Sequence, residues 1–375
     1  MTPSSNNAEE VLPNDSDLRR KAKTLHEIVK LARTNVDRNV WDYLQGGTES
    51  ETTVKRNRAA LDRIAFRPRV LNDMREIDLS GSFLGHKLGL PLLLAPVGSL
   101  ESFHPDGPRE AMRAAAEVDI PLFLSSVGTV PLEDVAAVKG GVKVFCLYKR
   151  GDDAWLDGVV GRAVDSGYDA FAITVDSAWY SRRERDIANR FVKPWRQVPG
   201  MEFQKALSWK DIARFKKTYD IKLILKGIAT AEDAKIALDH GVDCVYVSNH
   251  GGRQLDHGLG STDVLPEVVD AIGGKAQVAV DGGYSRGTDI VKARALGADI
   301  VGMGRLLCCG LAAGGAEGVQ LMLELVAEEC RIALGLLGVN SFDELTPAHL
   351  TKGELVMEPH IWSQYPLLPG DGFTY

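Results

Sequence analysis

Eight short apolar segments alternate along this chain with segments, several rich in alanine, whose apolar residues recur at helical spacing. The apolar segments are residues 91–97, 121–127, 142–148, 170–176, 223–228, 244–250, 277–283 and 300–305. The helical segments include 109–118, 132–138, 154–166, 231–240, 264–272 and 286–296. Strands that are apolar along nearly their whole length are typical of a parallel sheet covered by helices. Eight such units predict an α/β fold with a single (β/α)8 TIM barrel.

An open doubly wound sheet is the competing arrangement. It is less favoured because the first strand is not followed by a Gly-x-Gly-x-x-Gly turn. Residues 1–20 are polar and predict a disordered tail. Residues 18–44 carry apolar side chains at helical spacing and predict an N-terminal helical extension, so residues 21–375 are expected to form one barrel domain. The long interval at about 177–210 predicts a lid over the barrel mouth.

Composition excludes several classes of function. The net charge is -7 and no basic stripe is present, which argues against a nucleic-acid partner. The N-terminus has no apolar signal core, and the apolar stretch at 88–100 is short and broken by prolines, so no membrane span is expected. The five cysteines have no metal-type spacing, which predicts no metal site and favours reduced thiols in a cytoplasmic protein.

The sixth apolar segment ends in a histidine and an arginine three positions apart, His250 and Arg253, on a turn with two glycines. A histidine can take a proton near neutral pH, and an arginine can hold a carboxylate with two parallel hydrogen bonds. The plainer alternatives are a hydrogen-bonded core histidine and a surface ion pair. Asp176 is the best candidate to orient the histidine. Asp256 is the rival, although it could equally cap the segment that follows it.

Three other strand ends carry chemistry. Lys226 ends the fifth segment and would point into the barrel mouth, where either a reduced flavin or a structural carboxylate could be its anionic partner. Glycine-rich turns follow the last two strands, at 281–287 and 302–305. Such turns are the usual phosphate seat of this barrel, which predicts a phosphorylated cofactor.

These residues resemble the FMN-dependent α-hydroxy acid oxidase and dehydrogenase family. The run from Ser248 to Asp256, Ser-Asn-His-Gly-Gly-Arg-Gln-Leu-Asp, carries the most specific part of the likeness. Shorter matching segments lie at 41–43, 66–69, 95–96, 104–107, 124–126, 174–176, 225–227 and 281–283. The resemblance covers about residues 36 to 337.

The resemblance implies FMN as cofactor and a role for each site residue. His250 would be the base, Asp176 its partner, and Tyr148 a contact to the substrate hydroxyl. Tyr43, Arg183 and Arg253 would hold the substrate carboxylate, and Lys226 would stabilise the reduced, anionic flavin. The residues that would bind the cofactor are Val97, Gly98, Ser125, Cys146, Thr174, Lys226, Ser248, Asp281, Gly283, Arg286, Gly304 and Arg305.

Three departures from the family pattern matter. Cys146 stands where many members carry a glutamine that hydrogen-bonds the flavin, and a thiol is a weaker partner. Ser285 stands where many carry the first of two arginines, which leaves Arg286 alone and more of the phosphate binding to Arg305. The loop at about 194–208 is shorter than is common, so the lid would shield the site less from water.

The resemblance implies oxidation of an L-2-hydroxy acid to the 2-keto acid. Gly98 replaces the alanine of several small-acid oxidases, so we expect a substrate bulkier than glycolate. Molecular oxygen is the expected acceptor, giving hydrogen peroxide. The alternatives are oxidative decarboxylation like that of lactate monooxygenase, a dehydrogenase with another acceptor, and a barrel without catalytic activity. Family members also suggest a homotetramer or octamer.

Overall fold

A computed structural model describes residues 16–191 and 193–368. Eight parallel strands form a closed barrel in which each strand pairs with its neighbours in sequence and the last pairs with the first. The strands are β1 Leu92–Leu94, β2 Pro121–Ser125, β3 Val142–Leu147, β4 Ala170–Thr174, β5 Lys222–Ile228, β6 Cys244–Val247, β7 Gln277–Val280 and β8 Ile300–Met303. The predicted (β/α)8 barrel is confirmed, and all eight predicted strands are present. Asp176, His250 and Asp281 lie in the loops that follow the strands, whereas Ser125, Thr174 and Lys226 lie within the strands.

Alternating side chains on each strand build two cores. On β3, Val144 and Cys146 point into the barrel, whereas Phe145 and Leu147 pack against the outer helices. A hairpin of Gly81–Phe83 and His86–Leu88 adds buried apolar side chains to the inner core, next to residues at the beginnings of the strands. The interior is therefore packed, and the site must lie at the opposite end, where the strands terminate.

The helices surround the barrel. Their bounds are Asp17–Lys21, Leu25–Asn35, Arg38–Gln45, Thr52–Asp62, Gly107–Glu117, Leu132–Ala136, Asp153–Asp165, Glu184–Ala188, Met201–Lys205, Trp209–Thr218, Ala231–Asp239, Ser261–Ile272, Gly287–Ala295 and Arg305–Leu337. The six helical segments predicted between strands are all present, with most ends within two residues of the prediction. Three long helices, Thr52–Asp62, Trp209–Thr218 and Arg305–Leu337, were not predicted.

The helix Arg305–Leu337 is the longest element and has a break about a third of the way along it. Gly314 and Gly315 have non-helical backbone angles there. Within the described residues this is the one helix long and apolar enough to cross a membrane by length and composition, but 72% of its most apolar stretch is buried inside the fold. That burial is what a core helix of the barrel's outer layer requires.

The N-terminal extension differs from the prediction of continuous helix over 18–44. It forms three helices, because Thr24 caps the second by accepting from the Glu27 N–H and Asp37 caps the third. The expected tail at 1–20 is wrong for its last residues, since Asp17–Lys21 is helical and Arg19 pairs with Glu324 at 2.6 Å. Residues 1–15 lie outside the described part of the chain.

Two segments complete the architecture around the mouth. Short helical turns, Glu184–Ala188, Pro194–Gln197 and Met201–Lys205, make up the segment predicted as a lid. After the barrel, Leu350–Lys352 pairs antiparallel with Ile64–Phe66. The chain then runs on to Leu368 as a tail, which packs Trp362 against Trp41 with ring centroids 5.2 Å apart.

Candidate active site

The loops after the strands enclose a cavity with about 1020 Å³ of space not filled by atoms, part of it open to solvent. Its walls include Tyr43, Leu44, Ala95, Pro96, Val97, Gly98, Val127, Tyr148, Arg183, Trp195, Lys226, His250, Gly251, Arg253, Asp281, Gly282, Gly283, Tyr284, Ser285, Gly302, Gly304, Arg305, Ile361, Trp362 and Gln364. Twelve of the eighteen predicted site residues are among them.

The loop after β6 holds His250 in an uncommon backbone conformation. His250, Gly251 and Gly252 have φ angles of 59°, 63° and 76°, all in the left-handed region. That region is costly for residues with a Cβ and free for glycine. A Cβ at position 252 would come within 2.7 Å of the Val54 backbone nitrogen, so this glycine is also needed for close packing. The Gly-Gly pair therefore lets the chain turn sharply and present the imidazole to the cavity.

Both ring nitrogens of His250 have partners. Nδ1 lies 3.1 Å from Asp176 Oδ1, and Nε2 lies 3.0 Å from the Tyr148 hydroxyl. Because a carboxylate only accepts, Nδ1 carries the proton and Nε2 is the accepting nitrogen, to which Tyr148 donates. The Asp176 carboxylate stands behind the ring and does not line the cavity. The accepting nitrogen, Nε2, faces Tyr148, and Tyr148 lines the cavity.

Burial and neighbouring charges set the protonation states of His250, Asp176 and Tyr148. Burial lowers the pKa of His250 below its ordinary value, and the nearby Lys226 and Arg183 lower it further, against the opposing effect of Asp176. Burial alone would raise the pKa of Asp176, but the His250 ring and Lys226 hold it below the usual range. Burial raises the pKa of Tyr148 well above 10. At neutral pH the imidazole is therefore neutral, the carboxylate ionised and the phenol protonated.

Three guanidinium groups meet around the cavity: Arg183, Arg253 and Arg305. In the described part of the chain none of them forms an ion pair with a carboxylate, and instead they bond backbone carbonyls or a hydroxyl. Burial and the charge of Arg253 lower the pKa of Arg183 and of Arg305 to about 9 each. Buried cations without carboxylate partners favour an anion, so the cavity suits negatively charged ligands.

Arg253 and Tyr43 form one wall. Arg253 Nη1 donates to the carbonyls of Tyr43 at 2.7 Å and Gly46 at 2.6 Å, and its guanidinium lies over the Tyr43 ring at 4.7 Å. The Tyr43 hydroxyl is 3.4 Å from the Gly98 carbonyl oxygen. Helix Arg38–Gln45 thus delivers a phenol to the anion-binding side of the cavity.

Lys226 belongs to a fully formed buried network. Its Nζ donates to Ser248 Oγ at 2.7 Å and lies 3.3 Å from Asp281 Oδ2, and Ser248 Oγ donates to Asp281 Oδ1 at 2.5 Å. Burial lowers the pKa of Lys226, but the carboxylates of Asp281 and Asp176 more than offset this and raise it overall. Lys226 is therefore a fixed charge at the cavity floor. The sequence left two anionic partners open for Lys226, a reduced flavin or a structural carboxylate. The structural carboxylate is present as Asp281.

The sequence model of the FMN-dependent dehydrogenase family matches residues 32–352. The chain belongs to this family. Glycolate oxidase 1 from Oryza sativa subsp. indica is 37% identical over 347 residues, which cover 86% of this chain and 94% of that relative. The L-lactate oxidase of Nostoc sp. is 37% identical over 354 residues, covering 87% and 97%.

Solved structures agree with this assignment. Mandelate oxidase with (S)-2-phenylpropionate superposes with a TM-score of 0.82 at 38% identity, covering 89% of this chain and 99% of that one. A mandelate oxidase variant solved with a C4a-OH-FMN adduct has a TM-score of 0.81 at 38% identity, covering 87% and 99%. The protein is thus an FMN-dependent enzyme of the 2-hydroxy acid oxidase family.

The cavity fits FMN by its charges and by its unpaired donors. Arg305 begins the helix Arg305–Leu337, whose first N–H groups have no partner within the helix. Its guanidinium donates to the carbonyls of Leu44, Gly46 and Gly251 at 3.0–3.1 Å. The Arg305 guanidinium and the first N–H groups of its helix, with the Gly283 and Gly304 turns, are those that would hold the phosphate.

Arg286 is not among the residues that line the cavity. Its guanidinium pairs with Glu329 at 2.5 Å and lies over the Tyr365 ring. The Glu329 carboxylate also accepts from the Gly287 N–H, and Asp289 accepts from the N–H groups of Ser285 and Arg286. The backbone N–H groups at the start of helix Gly287–Ala295 are therefore already hydrogen-bonded to carboxylates. The prediction of Arg286 as a cofactor ligand is not matched by its contacts.

Five other predicted site residues stand behind the cavity walls. Asp176 and Ser248 support His250 and Lys226 as described above. Cys146 Sγ lies 3.4 Å from Thr174 Oγ1, and burial raises the thiol's pKa to about 11. Ser125 Oγ accepts from the Val127 N–H at 3.2 Å.

Asp256 serves as a helix cap. Its carboxylate accepts from the Thr53 N–H at 2.8 Å, from the Ser50 hydroxyl at 2.7 Å and from the Thr52 N–H at 3.3 Å. These groups lie at the start of helix Thr52–Asp62, and burial of the carboxylate is outweighed by the bonds, which lower its pKa to about 2. Asp176 is therefore the histidine's partner.

Sequence reasoning missed part of the wall. Val127 follows β2 beside Gly98, and Trp195 comes from the lid segment. Ile361, Trp362 and Gln364 belong to the tail after the barrel. The tail has no strand or helix period. Its one available signal was the group of large and polar side chains around Trp362.

Proposed function

We propose that this enzyme oxidises an (S)-2-hydroxy acid bulkier than glycolate to the 2-keto acid and passes the electrons to molecular oxygen, giving hydrogen peroxide. The observation that carries the proposal is the accepting Nε2 of His250, held by Asp176 and flanked by the guanidinium groups of Arg183 and Arg253. A neutral base beside two cations suits a small acid that must be held as its anion and lose a proton.

Each of the side chains around His250 has its own role in the proposed reaction. Arg183 and Arg253 hold the substrate carboxylate, with Tyr43 beside them, and this fixes the 2-position near His250. The substrate loses two hydrogens, one from carbon and one from the hydroxyl. His250 takes one of them as a proton at Nε2, and Asp176 stabilises the imidazolium that results. Tyr148, which donates to Nε2 in the free enzyme, turns its hydroxyl to the substrate oxygen. FMN, when bound, would supply the acceptor for the two electrons and the other hydrogen that leave the substrate.

The shape of the cavity supports a bulky side chain. Gly98 and Val127 line one side and Trp195 another, so apolar surface is available beyond the carboxylate site. The mandelate oxidase structures include complexes with (S)-mandelic acid and with (S)-2-phenylpropionate, both aromatic acids. The space at Gly98 is shared, because a Cβ there would come within 2.9 Å of Val127 Cγ1. Val127 therefore helps to set the substrate's size together with Gly98.

The proposed acceptor rests on the relatives. Glycolate oxidase and L-lactate oxidase are both named as oxidases. Oxygen reaching the cavity would need no docking surface for a second protein.

An anaerobic screen tests the substrate. The holoenzyme is mixed with L- and D-enantiomers of lactate, mandelate and phenyllactate, and with glycolate, while the visible flavin absorption is followed. We expect (S)-mandelate or L-phenyllactate to bleach the flavin fastest and the opposite enantiomers to leave it oxidised. Faster bleaching by glycolate or lactate would refute the size assignment.

Product analysis tests the acceptor. With oxygen present, keto acid and hydrogen peroxide in equal amounts are the expected products. A shortened carboxylic acid with carbon dioxide would instead assign the monooxygenase outcome. Reduced enzyme that is inert to oxygen and reoxidised by a quinone analogue would assign a dehydrogenase. The variant Trp209→Phe, at a tryptophan whose indole packs at a tilt against His240 and does not line the cavity, serves as a control that should behave like the parent.

A further inference from the structure

Lys193 is a buried lysine in the lid segment, between the helical turns Glu184–Ala188 and Pro194–Gln197. The residue is 6% exposed. Its ammonium donates to Ser102 Oγ at 2.7 Å, and among the described residues no carboxylate comes within ion-pair distance of it. Burying a charge is costly unless other groups stabilise it, so the surroundings of this ammonium must supply that stabilisation.

Two aromatic rings surround the Lys193 ammonium. Its Nζ lies 4.5 Å from the centre of the Tyr43 ring and 4.9 Å from the centre of the Phe191 ring. The face of an aromatic ring attracts a cation, and the attraction is larger where water is excluded. Burial lowers the pKa of Lys193, and the nearby Glu101 carboxylate opposes this shift and helps to retain the charge. The ammonium is therefore held against Tyr43.

Tyr43 has a second cation beside its ring. The Arg253 guanidinium lies 4.7 Å from the ring centre. The Tyr43 hydroxyl is 3.4 Å from the Gly98 carbonyl oxygen, which is long for a hydrogen bond between two oxygens, so it can turn to a better acceptor. Two positive charges beside the ring favour negative charge on the phenol oxygen. They therefore make its O–H a stronger donor, above all to an anion.

Lys193 also joins three parts of the fold. It belongs to the lid segment, it contacts Tyr43 on helix Arg38–Gln45, and it bonds the turn Leu100–Ser102, which follows β1 and Gly98. Tyr43 and Gly98 line the cavity, whereas Lys193 does not. Any effect of the lysine on a bound acid is therefore transmitted through a neighbour, and Tyr43 is the cavity residue that it contacts.

We propose that Lys193 is a positioning residue for the substrate carboxylate: its ammonium fixes the Tyr43 ring and strengthens the hydrogen bond from the Tyr43 hydroxyl to that carboxylate. The assignment rests on the proposed function, in which Tyr43 lies beside the carboxylate. The carboxylate keeps its charge throughout the oxidation, so the lysine should favour the bound substrate and the transition state equally. Its loss should then raise KM and leave the limiting rate of flavin reduction unchanged.

Lys193→Met tests this role, because methionine keeps an unbranched apolar stem against the two rings and removes the charge. The holoenzyme is titrated with two keto acids, pyruvate and benzoylformate, and the change in flavin absorption gives each dissociation constant. For the keto acid that the parent binds more tightly, we expect the dissociation constant to rise about tenfold, the size of a desolvated cation–π contact. The limiting rate of anaerobic flavin reduction should stay within about twofold of the parent.

Lys205→Met is the matched control. It removes a lysine of the same segment whose ammonium lies 3.6 Å from the centre of the exposed Trp179 ring, and neither residue lines the main cavity. Keto-acid affinity should be unchanged in this variant. An unchanged dissociation constant in Lys193→Met, or a limiting rate that falls as much as the affinity, would overturn the proposal.

Tyr43→Phe shows whether the lysine acts through the hydroxyl, since phenylalanine keeps the ring and loses the O–H. Lys193→Met added to Tyr43→Phe should change the dissociation constant by less than about twofold, because the group through which the lysine acts is already gone. If the two losses instead multiply, the lysine acts on the anion or on the fold independently of Tyr43, and the proposal is wrong.

Ser102→Ala provides a test that does not require replacing the lysine. It removes the acceptor of the ammonium and keeps the charge, so keto-acid affinity should fall by about threefold, within the net value of one hydrogen bond. No change would count against the proposal even if Lys193→Met failed to fold. The parent reports separately on the proposed function. Its preference between pyruvate and benzoylformate reflects substrate size, and a parent that binds neither keto acid would refute the proposed function itself.

Discussion

His250 Nδ1 lies 3.1 Å from the Asp176 carboxylate, although the two residues follow strands β6 and β4, which are not neighbours in the barrel. The close approach is possible because β5 between them carries Gly227 as its last residue but one, where its pairing with β6 is irregular. A Cβ at Gly227 would come within 2.8 Å of the Asp176 carboxyl carbon. A glycine at that strand end therefore makes room for the carboxylate that orients the proposed base.

Asp176→Asn tests the importance of this pair. The amide preserves the shape but can no longer stabilise an imidazolium, and it permits the wrong tautomer of His250. We expect the rate of flavin reduction to fall by about 10²–10⁴-fold, with FMN still bound. Stopped-flow reduction under anaerobic conditions measures it. A loss of less than about threefold would show that Asp176 does not support the base.

The pH dependence follows from the protonation of His250. The proposed base must be neutral in the free enzyme, so kcat/KM is lost as the pH falls through the pKa of His250. Burial lowers that pKa, so the acid limb should lie below the ordinary histidine value of 6.5. Because Asp176 opposes this shift, Asp176→Asn should move the limb to still lower pH. An acid limb above pH 7 would contradict the burial of a neutral imidazole.

Asp256→Asn separates structural from catalytic carboxylates in the same motif. The folded-state pKa of Asp256 is about 2, against an ordinary value of 3.8, so its stabilisation is present above pH 4 and is lost as the pH falls towards 2. Loss of this cap should reduce the free energy of unfolding by about 1–2 kcal/mol at neutral pH. Denaturant unfolding gives the stability, and the flavin-reduction rate should stay within about twofold of the parent. A large fall in the flavin-reduction rate would instead assign Asp256 a catalytic role.

The barrel and the strand-end chemistry were predictable because both depend on local patterns. Apolar strands of short length and alanine-rich helices repeat eight times, and parallel strands bring their carboxyl ends to one edge. Asp176 was preferred to Asp256 as the partner of His250, and the contact is present. Asp256 is closer to His250 along the chain, whereas Asp176 approaches it through the barrel. The breaks in the N-terminal helices had a local signal that was missed, Thr24 three residues before Glu27.

Long-range pairing accounts for the remaining differences. Arg286 appeared available for a phosphate because its partner, Glu329, lies on the long C-terminal helix. The tail residues Trp362 and Gln364 carry no periodicity, and their place in the cavity depends on stacking against Trp41, far away in sequence. Sequence periodicity is analysed over short windows, and both of these contacts join residues much farther apart in the chain.

Lys226→Met tests the charge at the cavity floor. Removing the ammonium leaves Asp281 buried with Ser248 alone, so the free energy of unfolding should fall by about 3–5 kcal/mol. Flavin reduction should also slow, because a reduced flavin carries negative charge that the ammonium stabilises. The double variant Lys226→Met/Asp281→Asn should recover much of the stability but none of the reduction rate. Recovery of both together would show that the lysine's role is purely structural.

Gly98→Ala tests how the cavity sets substrate size. The new methyl group would lie 2.9 Å from Val127 Cγ1, too close for two carbon atoms, so Val127 must shift. Since Val127 lines the cavity, we expect the shift to narrow it and to lower kcat/KM for (S)-mandelate by about tenfold, with glycolate changed little. The paired variant Gly98→Ala/Val127→Ala removes the clash and should restore most of the activity towards mandelate. If the single variant lowers kcat/KM equally for glycolate and mandelate, the glycine acts on the backbone of the site, and substrate size is set elsewhere.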